Sequence, residues 1–293
     1  MSRSITIGTR GSTLAIMQTN LVVTALRAIE PSLDIHIKKI LTKGDTNQSP
    51  IPLDTIGKAW FTAEIEESLL KSEIDLAIHS LKDLPPDNPI ELAVLPVMER
   101  ADPSDVLVSK KNISFKTLTR GAIIGTDSSR RAAQLIESRP DILVKSIRGN
   151  IDTRLRKLRE EEYDGIVIAA AGLLRLGLQS EITETFDPCT FIPAPGQGIL
   201  AAEIRTNNNE MRRLLERIVH TPTDLAASAE RAFSRAVGGG CKLPVGCFAK
   251  IRDNNIELFG MAEHNGTIVR DSITGESSKA VSLAQKLAQK LGF

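Results

Sequence analysis

Apolar positions along this chain follow two periods, and the mixture of the two changes partway. Ile5-Thr6-Ile7-Gly8-Thr9-Arg10 reads as a short buried strand. Helical spacing follows at Leu14, Met17, Leu21, Ala25 and Ile29, with Ser12 placed to cap that helix. Residues 34–40 alternate as a strand, residues 43–58 form a Gly/Pro/Asn-rich loop, and Ala63 to Leu70 is helical. Strands are predicted again over 74–79 and 92–97. A second unit repeats the theme: a strand at 122–126, a helix capped by Ser128 or Ser129, a strand at 142–147, a charged amphipathic helix at 151–161 and a buried strand at 165–169. This βαβ alternation predicts α/β units with mainly parallel sheets covered on both faces. Pro193-Ala194-Pro195-Gly196-Gln197-Gly198 reads as a crossing between units. The last part differs. A helix at 223–237, three strands at 245–251, 256–261 and 267–270, and a final helix at 278–291 predict a small α+β domain. Its sheet is antiparallel, because Asn254-Asn255 and Asn265-Gly266 suit hairpin turns.

At 293 residues the chain has room for two or three cores. Its net charge of +1 draws it to neither nucleic acid nor membrane, and 3% aromatic residues equip it poorly for stacking on bases. No apolar run is long enough to cross a bilayer. The N-terminus passes directly into a strand pattern, so a cytoplasmic location is expected. Three cysteines, Cys189, Cys241 and Cys247, fit a reducing compartment, and neither they nor the four scattered histidines have zinc-site spacing. No metal is expected, and nothing calls for more than a monomer.

Candidate chemistry gathers in turns. In parallel α/β sheets, ligands collect at the carboxyl ends of strands, where helix N-termini present free N–H groups to anions. Thr9 to Ser12, His79 to Asp83, Thr126 to Arg131 and Ile147 to Asn150 all fall there. Arginines at such ends can grip carboxylates through paired hydrogen bonds. Solvated or acid-paired arginines are the competing reading; it holds for Arg156, Lys157 and Arg159, which share a helix with Glu160 to Glu162. For Arg130, Arg131, Arg148 and Arg154, position favours anion binding, and a phosphate would satisfy the same logic. Asp83 ends a buried strand beside Lys82, which suits acid–base work or stabilising a developing cation, against a loop cap or a partner for Lys82. Cys247 sits in a strand pattern and reads as core. Cys241 is flanked by Gly238-Gly239-Gly240 and Lys242, which keep bulk away and favour the thiolate. A thiol displayed in this way suits a chemical attachment point, against the alternative of an inert thiol.

Taken in order, Thr9-Arg10-Gly11-Ser12, His79-Ser80-Leu81-Lys82-Asp83-Leu84-Pro85, Gly125-Thr126 with Arg130-Arg131, and Arg148-Gly149-Asn150 with Thr153-Arg154 span much of the chain. Residues 171–177, 193–198 and Gly239-Gly240-Cys241 with Pro244 and Gly246 complete the set. The ordered set resembles the porphobilinogen deaminase, or hydroxymethylbilane synthase, family. That resemblance implies two lobes like type II periplasmic binding proteins, with five-stranded mixed sheets and a cleft between them, plus a small C-terminal domain with a three-stranded antiparallel sheet. It implies domains at 1–98 with 199–216, at 99–198 and at 217–293. It implies a transferase that joins four porphobilinogen molecules head to tail with loss of ammonia and releases linear hydroxymethylbilane by hydrolysis. Growth would start on a dipyrromethane cofactor held by a thioether to Cys241. The electrophile would be azafulvene-like. By motif, Arg10, Arg130, Arg131, Arg148, Arg154 and Arg175 would bind carboxylates, assisted by Ser12, Lys82, Thr126 and Ser128, while Asp83 would stabilise positive charge on pyrrole nitrogens.

Two departures stand out. The stretch 56–61 has Gly57 followed by Ala59 and Trp60, where the family often has a second glycine in its lid. Asp127 places a negative charge where the family has serine; it either faces outward or pairs with an arginine. A non-catalytic anion-binding protein of the same two-lobed shape would explain the arginines but not the displayed thiol. A different cysteine-dependent transferase is the other competitor.

Overall fold

The computed structural model of the protein describes residues 4–46, 62–238 and 244–293. Cys241 and the stretch 56–61 lie outside the described residues.

The first lobe opens with β1 (Ser4–Arg10), α1 (Thr13–Ile29), β2 (Asp34–Ile40), α2 (Lys43–Thr46), α3 (Ala63–Leu70), β3 (Leu76–Ser80) and β4 (Leu92–Val97). The chain then crosses to a second lobe: β5 (Asp105–Ser109), β6 (Ile123–Gly125), α4 (Ser129–Ser138), β7 (Leu143–Lys145), α5 (Ile151–Glu160), β8 (Gly165–Ala169), α6 (Ala170–Arg175) and β9 (Glu184–Thr185). It returns as β10 (Leu200–Arg205) and α7 (Asn209–Glu216). The C-terminal unit holds α8 (Thr221–Ala236), β11 (Gly246–Arg252), β12 (Asn255–His264), β13 (Thr267–Glu276) and α9 (Ala280–Lys290).

The two lobes share one plan. Their sheets run β2-β1-β3-β10-β4 and β7-β6-β8-β5-β9. In the first, β1 pairs in parallel with β2 and β3, while β10 runs antiparallel to both β3 and β4. In the second, β6 pairs in parallel with β7 and β8, and β5 runs antiparallel to both β8 and β9. Four strands of each sheet therefore point one way. The reversed strand in each is the first one laid down after a crossing: β10 on the return to the first lobe and β5 on entry to the second. This is the mixed, two-crossover arrangement of type II periplasmic-binding-like lobes.

Apolar faces explain the layering. In the first lobe α1 and α7 cover one sheet face through Val22, Leu26, Met211, Leu214 and Leu215, and α3 covers the other through Ile65 and Leu69. In the second, Leu155, Leu158 and Leu173 pack against Ile166 and Ile168, while Leu135 and three phenylalanines pack against Ile124 and Val167. The caps follow local chemistry. Ser12 Oγ accepts from the Ala15 N–H at 3.2 Å, and Ser128 Oγ accepts from the Arg131 N–H at 3.4 Å.

The crossovers are pressed together. The Ala101 N–H donates to the Gly198 carbonyl at 3.1 Å. Gly198 has φ +86°, and a Cβ there would stand 2.4 Å from the Ala101 carbonyl oxygen. Only glycine meets both conditions. The C-terminal unit is fastened at the same place. Fully buried Glu230 of α8 accepts from Arg100 Nη1 at 2.6 Å, from the Gly196 N–H at 2.6 Å and from the Ala249 N–H at 2.8 Å.

The C-terminal sheet, β11-β12-β13, is antiparallel throughout. Its second turn is Asn265-Gly266, with φ +51° and +77°, as a two-residue hairpin requires. Its first turn lies one residue earlier than the sequence predicts. Arg252 faces Asn255, so Asp253, at φ +51°, leads the turn and Asn255 starts β12.

Candidate active site

Among the described residues, most candidate side chains follow the carboxyl end of a strand, while Arg154 lies within α5 and Arg175 ends α6. Arg10 closes β1 and is half-buried; Ser12 spends its oxygen on the α1 cap. Past β3 the chain makes a single 3₁₀ turn, Leu81–Asp83, anchored by buried Leu81, whose N–H donates to the Ile199 carbonyl at 2.9 Å. That turn presents Lys82 and Asp83. Lys82 Nζ donates to Gln197 Oε1 at 3.2 Å. Asp83 is exposed and has no side-chain hydrogen bond or ion pair among the described residues. His79, from the same motif, turns inward instead and pairs with Glu203 at 3.0 Å in the lobe interior.

The second lobe supplies the remaining cations. Buried Thr126 accepts from the Ser128 N–H at 3.3 Å, so both hydroxyls hold the loop that starts α4. Arg130 and Arg131 are both buried against Asp105, which is fully buried at the start of β5. Arg130 Nη1 donates to Asp105 Oδ2 at 2.7 Å and to the Ile192 carbonyl at 2.8 Å. Arg131 Nη2 and Nε reach Asp105 Oδ1 at 2.7 and 2.9 Å. Arg148 Nε donates to Asp127 Oδ2 at 2.8 Å, so Asp127 pairs with an arginine rather than facing outward alone. Arg154 Nε donates to the Gly149 carbonyl at 2.8 Å, and Arg175 Nη2 to the Gly198 carbonyl at 2.8 Å.

Gln197 binds the two lobes into one site. Its Oε1 accepts from Lys82 of the first lobe and from Arg131 Nη2 of the second, at 3.2 and 3.4 Å. Its Nε2 donates to Asp105 Oδ1 at 2.9 Å and to the Pro103 carbonyl at 2.7 Å. Neither Asp105 nor Gln197 stands among the residues singled out from sequence. For Asp105, the available signal is a carboxylate directly ahead of the apolar run Val106-Leu107-Val108.

The electrostatics follow from this crowding. Burial alone would raise the Asp105 carboxyl, but Arg130 and Arg131 outweigh it and hold the group well below the usual carboxylate range. Burial and the Arg131 charge push the Lys82 amine down to about 8, against the opposing pull of Asp83 and Asp105. Burial likewise lowers Arg154 and Arg175 to about 10; for Arg154 the charges of Arg131 and Arg148 lower it further, while Asp127 and Asp83 oppose them. Both arginines remain cations at neutral pH. Among the described residues no cluster of His, Cys, Asp and Glu could hold a metal ion. Cys247 is core, its thiol raised well above the ordinary value first by burial, and Cys189 is half-buried in the loop after β9.

Fold and contacts together define a protein of two type II periplasmic-binding-like lobes, with cations of both lobes meeting at Gln197 and a third unit fastened beside the crossovers. Two family models match the chain: the porphobilinogen deaminase dipyrromethane cofactor binding domain over residues 5–213, and the porphobilinogen deaminase C-terminal domain over residues 225–292. Porphobilinogen deaminase of Roseiflexus castenholzii is 44% identical, covering 99% of this chain and 96% of the relative. That of Thermus thermophilus is 43% identical, covering 98% and 95%. Among solved structures, a YaeC-family lipoprotein from Enterococcus faecalis aligns with a TM-score of 0.45 at 15% identity, over 81% of this chain and 98% of that one. A periplasmic binding protein from Salmonella typhimurium aligns with a TM-score of 0.42 at 14% identity, over 75% and 93%. The chain belongs to the porphobilinogen deaminase family. Its place in tetrapyrrole biosynthesis follows.

Asp105→Asn leaves two buried guanidinium groups without a counter-charge. Urea titration at pH 7 is expected to find about 3–5 kcal/mol less stability, and an unchanged midpoint contradicts the assignment. Asp105 is depressed in the folded state, so its stabilisation is fully present above about pH 4, the unfolded value, and is lost only as pH falls through the lower folded one. For Lys82 the depressed value has the opposite sense: the amine carries its charge below about pH 8 and loses it above. KM for porphobilinogen is expected to rise through that range in the parent enzyme, and Lys82→Gln is expected to flatten the rise. An identical KM profile in the variant would remove Lys82 from the binding site.

Proposed function

We propose that the cleft grips the acetate and propionate groups of a growing pyrrole chain through Arg10, Lys82, Arg148, Arg154 and Arg175. Arg130 and Arg131 form the buried floor of that positive field. The observation that carries this reading is the sharing of Gln197 Oε1 by Lys82 of one lobe and Arg131 of the other. Ser12, Thr126 and Ser128 shape the two helix starts that face the ligand. Each porphobilinogen adds two carboxylates, so a cationic cleft matches the ligand better as it lengthens.

Cys241 would hold the dipyrromethane cofactor through a thioether, and the bound cofactor would offer the free pyrrole α-carbon on which growth starts. Lys82 and the arginines fix the carboxylates and thereby the ring positions. Asp83, exposed and next to Lys82, has its carboxylate available to stabilise positive charge on a pyrrole nitrogen and to assist proton transfer as ammonia leaves. In each cycle the aminomethyl C–N bond of the incoming substrate would break with release of ammonia, the freed methylene carbon would bond to the free α-carbon of the chain, and that α-carbon would give up its proton. Water releases linear hydroxymethylbilane. The activity is thus that of a transferase.

The domains are taken as 1–98 with 199–216, 99–198 and 217–293, in keeping with the three sheets. The protein is taken as a monomer. Free Cys189 and Cys247 suit the reducing cytoplasm. Among the described residues no helix is long and apolar enough to cross a membrane.

Intact mass after denaturation tests the tether. The parent chain is expected to carry a dipyrrole adduct and to react with Ehrlich's reagent, and Cys241→Ser to match its bare sequence mass without activity. Asp83→Asn is expected to retain the adduct but turn over far more slowly or stall with bound pyrroles. An active Cys241→Ser variant defeats the assignment.

A further inference from the structure

Asp127 stands between Thr126 and the Ser128 cap, just ahead of α4. A carboxylate there would ordinarily stay with the positive end of the helix. Instead it turns toward the strand end opposite. Its Oδ1 accepts from Ser146 Oγ at 2.6 Å, and its Oδ2 from Arg148 Nε at 2.8 Å. Ser146 is itself held, since its carbonyl accepts from the Tyr163 hydroxyl at 2.7 Å. The contact is therefore a built one. It is also wet: the Arg148 and Asp127 side chains are 32% and 36% exposed. Ion pairs of that exposure are weak enough to exchange partners. Asp127 acts on more than Arg148, because its charge also bears on Arg154.

We propose that Asp127 is a built-in counter-ion that occupies Arg148 until a substrate carboxylate displaces it. This rests on the carboxylate-binding role given above to Arg148. A single small anion competes poorly, because it must evict a carboxylate already fixed by Ser146. A ligand anchored at several other cations brings its carboxylate to Arg148 at high local concentration and wins. Asp127 thus sets a threshold that favours polycarboxylates over monocarboxylates.

The test compares Asp127→Asn with the parent holoenzyme, and Asp127→Ser serves where the amide variant folds poorly. KM for porphobilinogen is expected to fall about two- to fivefold, the factor an exposed ion pair of this class supplies. kcat should move less than KM. Inhibition by acetate should strengthen, a change that a purely structural role would not produce. An unchanged or raised KM, or unchanged acetate inhibition, overturns the proposal. Arg148→Met run alongside separates two failures. If it cripples kcat/KM while Asp127→Asn leaves KM unchanged, the counter-ion idea alone falls. If it leaves kcat/KM intact, the binding role of Arg148 falls as well.

Discussion

Two guanidinium groups side by side in a nearly dry interior repel each other, and Asp105 makes their proximity tolerable. The carboxylate is fully buried and bonds to both Arg130 and Arg131. Breaking such a triad costs far more than forming it gains, because an uncompensated charge would remain in low dielectric. Its value here is positional. Asp105 opens the strand that enters the second lobe, and Gln197 on the returning segment binds the same oxygen. Arg130, Arg131 and Lys82 are therefore held at the point where the lobes meet.

From that point the linkage runs outward. Arg100 Nε donates to the Gln197 carbonyl at 2.9 Å, and the same guanidinium meets Glu230 of α8. Glu230 also accepts from Gly196 and Ala249. The C-terminal unit thus grips both crossovers and its own first strand with one carboxylate. A shift of that unit relative to the lobes would be felt at Gln197, and through it at Lys82 and Arg131.

Much of this was legible along the chain. Ser12 and Ser128 cap the helices they precede because capping needs only a short polar side chain and a free N–H three residues on. Cys247 is core, as its strand pattern predicts. The strands β5 and β10 escaped notice because each carries a buried acid, Asp105 or Glu203, whose partner lies far away in sequence. Arg130 and Arg131 belong to a recognisable motif, yet their burial against Asp105 could not be read from neighbours in sequence. Asp127 presented an even choice on sequence, and geometry decided it through Arg148, a strand away. Local rules were visible; pairings between distant acids and cations were not.

The second lobe is an insertion, and this has a consequence for the newborn chain. β4 joins its sheet only through β10, which lies between β3 and β4. On the ribosome β4 emerges before the whole second lobe has been made, which takes on the order of ten seconds at ordinary elongation speeds. Throughout that interval β3 and β4 present unpaired edges that can capture another chain. The first lobe's sheet is complete only once Leu200 to Arg205 arrives to close the gap.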